Sequence, residues 1–194
     1  MKATVEKALP VRSGADVLLT LRFISLAPRT QSYRVSAEAY AEAGQPKEGD
    51  VLEGEVLVAL TLAEDTRLAY ARAVKILAAG DNTRAALLRK LKERGFSAPS
   101  AEAAVARLCA EGYLSEEEML LRQLAIYAKR MWGPRRFLPA LMAKGFARET
   151  IREALLRAED EGIYDSEAIK ARLLSELADE DPAARRAWLY QHGF

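Results

Sequence analysis

The sequence predicts a mainly α-helical chain of tandem three-helix units behind a small N-terminal antiparallel, β-containing region, and three observations carry that prediction. First, the chain repeats at a spacing of fifty: Arg94-Gly95-Phe96 returns as Lys144-Gly145-Phe146, and Glu111-Gly112 as Glu161-Gly162. Second, the stretches that these glycines close have apolar residues every three or four positions, the helical period. Third, Met1 to Val35 alternates with a period of two, in Val17, Leu19, Leu21, Phe23 and again in Tyr33, Val35. That is the pattern of half-buried strands.

Taken in order, the strand region is broken at Ser13-Gly14 and at Pro28. Ala37 to Ala43 then favours helix and stops at Gly44, followed by a polar turn over Gln45 to Asp50. Val51 to Thr61 is two-sided. Val56-Leu57-Val58-Ala59-Leu60 suits a buried strand, whereas Asp50 with Glu53 three positions later is a helix-start signature, and helix is the reading adopted. From Glu64 a helix is expected with Tyr70, Val74 and Leu77 inward, ending at Gly80. Asp81-Asn82-Thr83 can cap a second helix, Arg84 to Arg94, with Leu87, Leu88 and Leu91 inward and Gly95 after it. Ser100 to Glu111 is the third, with Val105 and Leu108 inward. The second unit keeps the register: Leu120, Leu124, Tyr127; Phe137, Leu138, Leu141; Ile151, Leu155, Ala158. A third unit begins at Ser166, holds Leu174 and Leu177 in register, and reaches Gly193-Phe194 one helix short, so it is expected to be the least stable. The domain boundaries expected are 1–62 for the N-terminal β/α region, 63–116 and 117–165 for two complete repeats, and 166–194 for a partial one.

The 194 residues carry a net charge of +1 and are 50% apolar, enough for a real core and no global pull toward nucleic acid. The charge is segregated instead. Residues 119–148 hold seven bases and no acid: Arg122, Lys129, Arg130, Arg135, Arg136, Lys144 and Arg148. Residues 149–180 hold ten acids against four bases. The basic stretch is open to two readings, an ordinary solvated face or a surface for an anionic partner; the bracketing of Trp132-Gly133-Pro134 by Lys129, Arg130, Arg135 and Arg136 favours a partner. Trp132 either stands exposed or packs that turn. A second basic group, Arg84, Arg89, Lys90, Lys92 and Arg94, is spread around its helix and broken by Glu93, which suits solvation.

Catalytic chemistry finds no footing. His192 is the single histidine and Cys109 the single cysteine, expected buried, so neither a metal cluster nor a nucleophile with a histidine base can be assembled. Glu159, Asp160 and Glu161 adjoin one another on a charged helix end. The glycines stand at helix ends rather than in a phosphate-binding loop. No metal and no cofactor are expected. The lone cysteine fits a reducing compartment, and with no leader and no apolar run of spanning length a cytoplasmic protein is expected.

The two Gly-Phe helices, the closures Glu111-Gly112-Tyr113-Leu114 and Glu161-Gly162-Ile163-Tyr164-Asp165, and Gly133-Pro134-Arg135-Arg136 together resemble the RecX family, bacterial regulators of RecA recombinase, over roughly Tyr33 to Phe194. The last motif is the most specific. Here Phe137 and Pro139 follow it where family members usually continue with an aliphatic residue and no proline, and Ala86 stands where an acid is usual. The resemblance implies an elongated, curved stack of units that binds the RecA–DNA filament groove or end and suppresses strand exchange and ATP hydrolysis without catalysis. It implies that the seven bases of 119–148 meet the filament, that DNA itself is bound weakly and non-specifically, and that the protein is a monomer. The alternative is a helical-repeat nucleic-acid binder that acts without RecA.

Overall fold

The computed structural model describes residues 2–11, 14–178 and 180–194. The expected strand start at Met1 and the Ser13 half of the expected Ser13-Gly14 turn lie outside the described residues. The chain forms two compact units, one of residues 1–76 with 88–108 and one of residues 77–87 with 109–194.

In the first unit β1 (Lys2–Val11), β2 (Asp16–Phe23), β3 (Arg29–Ser36) and β4 (Val51–Glu53) form an antiparallel sheet in the order β3-β2-β1-β4. Alternation places Val17, Leu19, Leu21, Phe23, Tyr33 and Val35 on one face, where Leu57 and Leu60 complete the core. Helix α1 (Ala37–Glu42) is capped by Ser36, whose Oγ accepts from Ala39 N at 3.1 Å, and the chain turns away at Gly44 with φ of 81°.

The helix reading of Val51–Thr61 holds from Gly54 onward and fails for the first three residues. Val51–Glu53 is a strand paired with Lys2–Thr4, and α2 runs unbroken from Gly54 to Ala78, so the helix expected from Glu64 starts ten residues earlier. Asp50 caps no helix; its carboxylate accepts from Lys47 N at 2.7 Å within the turn. Along α2 the buried residues are Leu57, Leu60, Ala69 and Ala73, while Val74 is 40% exposed and Tyr70 only half-buried. Helix α4 (Ala98–Ala110) likewise buries its alanines Ala101 and Ala104 fully. Ser97 bonds Asp65, and the Arg107 guanidinium lies 4.5 Å over the Tyr70 ring.

Helix α3 (Arg84–Lys92) ends two residues before the expected Arg94, and its Leu87 and Leu91 are buried as their spacing requires. In the second unit α5 (Glu116–Lys129), α6 (Pro134–Ala143) and α7 (Arg148–Asp160) enclose one core of Leu120, Leu124, Tyr127, Phe137, Leu141, Phe146, Ile151, Ala154, Ala158 and Tyr164. Corresponding positions match in burial: Leu91 and Leu141, and Leu108 and Ala158, are all fully buried. Gly95 and Gly145 adopt φ of 87° and 94°, and Phe96 N and Phe146 N both reach back to a leucine carbonyl at 3.3 Å. This is the closure that a left-handed glycine makes possible. Its phenylalanines differ, Phe146 being buried and Phe96 half-buried.

The partial third repeat, inside the second unit, comprises α8 (Ser166–Ser175) and α9 (Pro182–His192). Here the register shifts by one: Leu173 is buried, Leu174 is 36% exposed and Leu177 is half-buried. Trp188 is 37% exposed. In the second repeat α7 packs against both α5 and α6.

Candidate partner-binding surface

The seven bases of 119–148 all belong to the second unit, where the fold divides them into two clusters and one outlier. At the Asp81-Asn82-Thr83 turn, Arg122 pairs with Asp81 at 3.2 Å and Lys144 Nζ donates to Gln123 Oε1 at 2.8 Å. The Thr83 hydroxyl does two jobs: it accepts from Ala86 N at 3.1 Å, capping α3, and donates to the Lys144 carbonyl at 3.1 Å. Asp81, Asn82, Thr83, Ala86, Met119, Gln123, Lys144 and Phe146 line a cleft of about 300 Å³ here. These two cations are already partnered inside the fold.

The second cluster surrounds Trp132. Its indole stacks on Tyr127, with centroids 5.3 Å apart and planes at 14°, and receives the Arg136 guanidinium at 4.2 Å and that of Arg130 at 5.2 Å. Trp132 is half-buried, so it packs the turn rather than standing out from it. Tyr164 Oη donates to the Trp132 carbonyl at 2.9 Å, and burial pushes the Tyr164 phenol up to about 12. Burial also raises the Tyr127 phenol, partly offset by Arg130.

Arg135 and Arg136 stand at the start of α6, where positive charge opposes the helix dipole. From the sequence alone, an external anion is the partner expected for them. The structure supplies an internal partner. Arg135 N donates to the Gly193 carbonyl at 3.0 Å, and its guanidinium reaches the Phe194 carbonyl at 3.4 Å. Arg136 donates to the Gln191 carbonyl at 3.0 Å, and Gly133 N to that of His192 at 2.6 Å. The carbonyls that end α9 carry partial negative charge, which the two arginines meet. Pro134 suits the first position of α6; Pro139, inside the helix, removes the N–H that would reach the Arg135 carbonyl.

Lys129 ends α5, and Arg148 opens α7 as the outlier; both are exposed, with no hydrogen bond or ion pair to hold their head groups among the described residues. The remaining cation of the turn, Arg130, is exposed and rests on Trp132. In the secondary group Arg89 faces Glu93 at 3.6 Å, Lys92 faces Glu102 at 3.4 Å, and Arg94 donates to the Lys90 carbonyl at 2.7 Å. In the second unit Arg84 N donates to Glu116 Oε1 at 2.7 Å.

The acids are organised too. Arg157 joins Glu117 at 2.7 Å and Glu161 at 2.6 Å, bonds that hold its guanidinium still more firmly protonated and tie the start of α5 to α7. Arg157 carries no signal in the sequence that singles it out. Thr83 was read as a helix cap, and its second bond joins residues 61 positions apart, which local spacing does not reveal. Cys109 is half-buried on α4, less covered than expected.

A family model described as RecX, first three-helix domain, matches residues 69–108. Similar proteins include three named regulatory protein RecX. That of Pseudomonas putida is 32% identical over 122 residues, 62% of this chain and 78% of the relative. That of Pseudomonas syringae pv. tomato is 37% identical over 92 residues, 47% and 59% respectively. That of Thermus thermophilus is 39% identical over 93 residues, 48% and 64%. The chain thus spans about three-fifths to four-fifths of the length of these relatives. A solved structure, a crystal structure of regulatory protein RecX, superposes with a TM-score of 0.61 at 17% identity over 99% of this chain and 94% of its own. At that identity the likeness is one of fold.

Proposed function

The chain belongs to the RecX family, and from that premise we propose that it is a non-catalytic regulator that inhibits RecA recombinase in the cytoplasm. It does so by binding the RecA–DNA filament in its groove or at its end, suppressing strand exchange and ATP hydrolysis. Among the described residues no helix is long and apolar enough to cross a membrane.

The observation that supports this reading is the state of the cations flanking Trp132. Lys129 has no internal partner among the described residues, and Arg130 leaves its charge exposed on an indole face. Two charges held on a packed turn, with Arg148 beside them in the count, suit an anionic partner, whereas Arg122 and Lys144 spend part of their bonding inside the fold. Attraction of this kind weakens steeply with salt.

The test is Lys129→Glu with Arg130→Glu. Inhibition of RecA-filament ATP hydrolysis should fall at least tenfold, about 1.4 kcal/mol of interaction, while the thermal midpoint stays within a degree or two of wild type. Lys170→Glu on α8 is the control and should change little. Wild-type inhibition by a folded double mutant would remove these cations from the interface. Titration of duplex and single-stranded DNA without RecA separates the alternative, a nucleic-acid binder acting alone. Weak, sequence-independent binding lost at physiological salt supports the RecA reading, and tight binding that persists there supports the alternative.

A further inference from the structure

The sheet of the first unit has two unlike edges. At one, β4 is three residues long and ends in the Lys2–Glu53 ion pair at 2.5 Å. At the other, β3 is eight residues long and pairs with β2 from Asp16–Ser36 to Phe23–Arg29 without a register shift. The sheet's irregularity falls between Val5 and Lys7 of β1, too far away to twist this edge. Strand β3, Arg-Thr-Gln-Ser-Tyr-Arg-Val-Ser, contains neither proline nor lysine, and its first four residues are exposed. Long, regular, uncovered edges are normally blunted, because they template the addition of another strand.

The hydrogen-bond phase shows which groups are open. Ala37 N donates to the Ala15 carbonyl at 3.0 Å, one step beyond the ladder. Bonded pairs recur at every second residue of an antiparallel pair, so Arg29, Gln31, Tyr33 and Val35 turn their main-chain groups toward β2. Thr30, Ser32 and Arg34 turn theirs away from the sheet, β3 being its terminal strand.

We propose that this edge is a strand-addition site for an extended acidic segment of a partner protein. Three outward residues offer six main-chain groups, which supply affinity regardless of sequence, and side chains at alternate positions supply choice. The charge selects acid. Strand β3 has two arginines and no acid; Arg29 lies 5.0 Å over the Phe23 ring, and Arg34 forms no hydrogen bond or ion pair among the described residues. Glu6, the nearby acid of the outer face, stands 3.5 Å from both Arg22 and the Thr30 hydroxyl. A second copy pairing through the same edge would bring four arginines into one two-strand ladder, which is unfavourable.

The test uses the full chain with two eight-residue synthetic peptides, one alternating threonine and glutamate and one alternating threonine and lysine. Affinity is read by fluorescence anisotropy and protection by amide hydrogen exchange. The glutamate peptide should slow exchange at Thr30, Ser32 and Arg34 at least tenfold at saturation and bind at least tenfold more tightly than the lysine peptide. Ser32→Pro removes one outward N–H and spares the β2 ladder, since proline is tolerated on edge strands; it should lower glutamate-peptide affinity about tenfold. Arg34→Glu keeps the backbone and should reverse the preference between the peptides. Unchanged exchange at the three amides of the wild type, or undiminished binding by both folded variants, would overturn the proposal. So would protection of the same amides by self-association or by oligothymidylate in place of the peptide.

Discussion

The turn that opens α3 and the turn that opens α6 perform one task with different chemistry. Each receives the end of the corresponding helix one repeat later. At the first, the Thr83 hydroxyl holds the Lys144 carbonyl; at the second, fifty positions on, Gly133 N holds that of His192. Gly145 and Gly193 follow those carbonyls with the same left-handed φ, 94° and 90°. A side-chain donor stands 3.1 Å from its carbonyl, whereas the main-chain donor comes to 2.6 Å and brings the backbones into contact. The repeat therefore conserves a geometry and leaves the donor free to change. It also explains why the Gly-Pro-Arg-Arg opening is so distinct: glycine permits the approach, and the arginines cover the carbonyls it meets.

The largest effect expected from this comparison lies at Gly133. Its φ is unremarkable at −82°, but an added Cβ would stand 2.4 Å from the Gly193 oxygen, backbone against backbone. Gly133→Ala should cost about 1–3 kcal/mol through forced displacement of α9, measured by urea denaturation, with amides of α9 losing exchange protection first. Thr83→Val removes a cap and a donor while keeping the volume and should cost about 1–2 kcal/mol. If alanine at Gly133 is silent while valine at Thr83 is not, the second contact is incidental and the correspondence fails.

A smaller effect is expected at the arginines. Arg135→Glu with Arg136→Glu gains a few tenths of a kcal/mol from the dipole of α6. It loses two guanidinium bonds to α9 carbonyls and the cation–π contact with Trp132, each worth about 0.5–1 kcal/mol at exposed sites. A net loss of about 1–2.5 kcal/mol follows, with a shift in Trp132 fluorescence. Stability at or above wild type would return both residues to the role of external contacts that their position at a helix start first suggested.

What could be read in the sequence follows the same division. Periodicity and glycine placement are local, so the strands, the repeat and the two Gly-Phe closures were legible from Val17, Leu91, Gly95 and Gly145. The strand at Val51–Glu53 was not, because its identity comes from pairing with Lys2–Thr4, some fifty residues away. The buried positions in the second half of α2 are hidden for a related reason: size points to Tyr70 and Val74, whereas Ala69 and Ala73 are the fully buried residues there. At the candidate surface, the seven bases could be counted but not sorted. Which of them are spent inside depends on Asp81, Gln123, Gln191 and Phe194, and none of those pairings is within one helical turn.

The last prediction concerns Met131, which precedes Trp132 with φ of 53°. It occupies in the turn after α5 the place that Gly145 occupies after α6: Met131 N donates to the Ala128 carbonyl and Trp132 N to that of Tyr127, both at 3.0 Å. A left-handed conformation costs a side-chain-bearing residue about 1–2 kcal/mol, whereas glycine adopts it freely but loses roughly 0.5–1 kcal/mol more chain entropy on folding. The Met131 side chain is half-buried and contributes some packing of its own. Met131→Gly should therefore stabilise the protein by only about 0.5 kcal/mol, a shift of a degree or two in the thermal midpoint, with Lys129 and Arg130 left in place. A loss above 1 kcal/mol would mean that methionine is retained for packing beneath the Trp132 turn. The two closures would then share a backbone path while resting on different forces, chain conformation at Gly145 and side-chain burial at Met131.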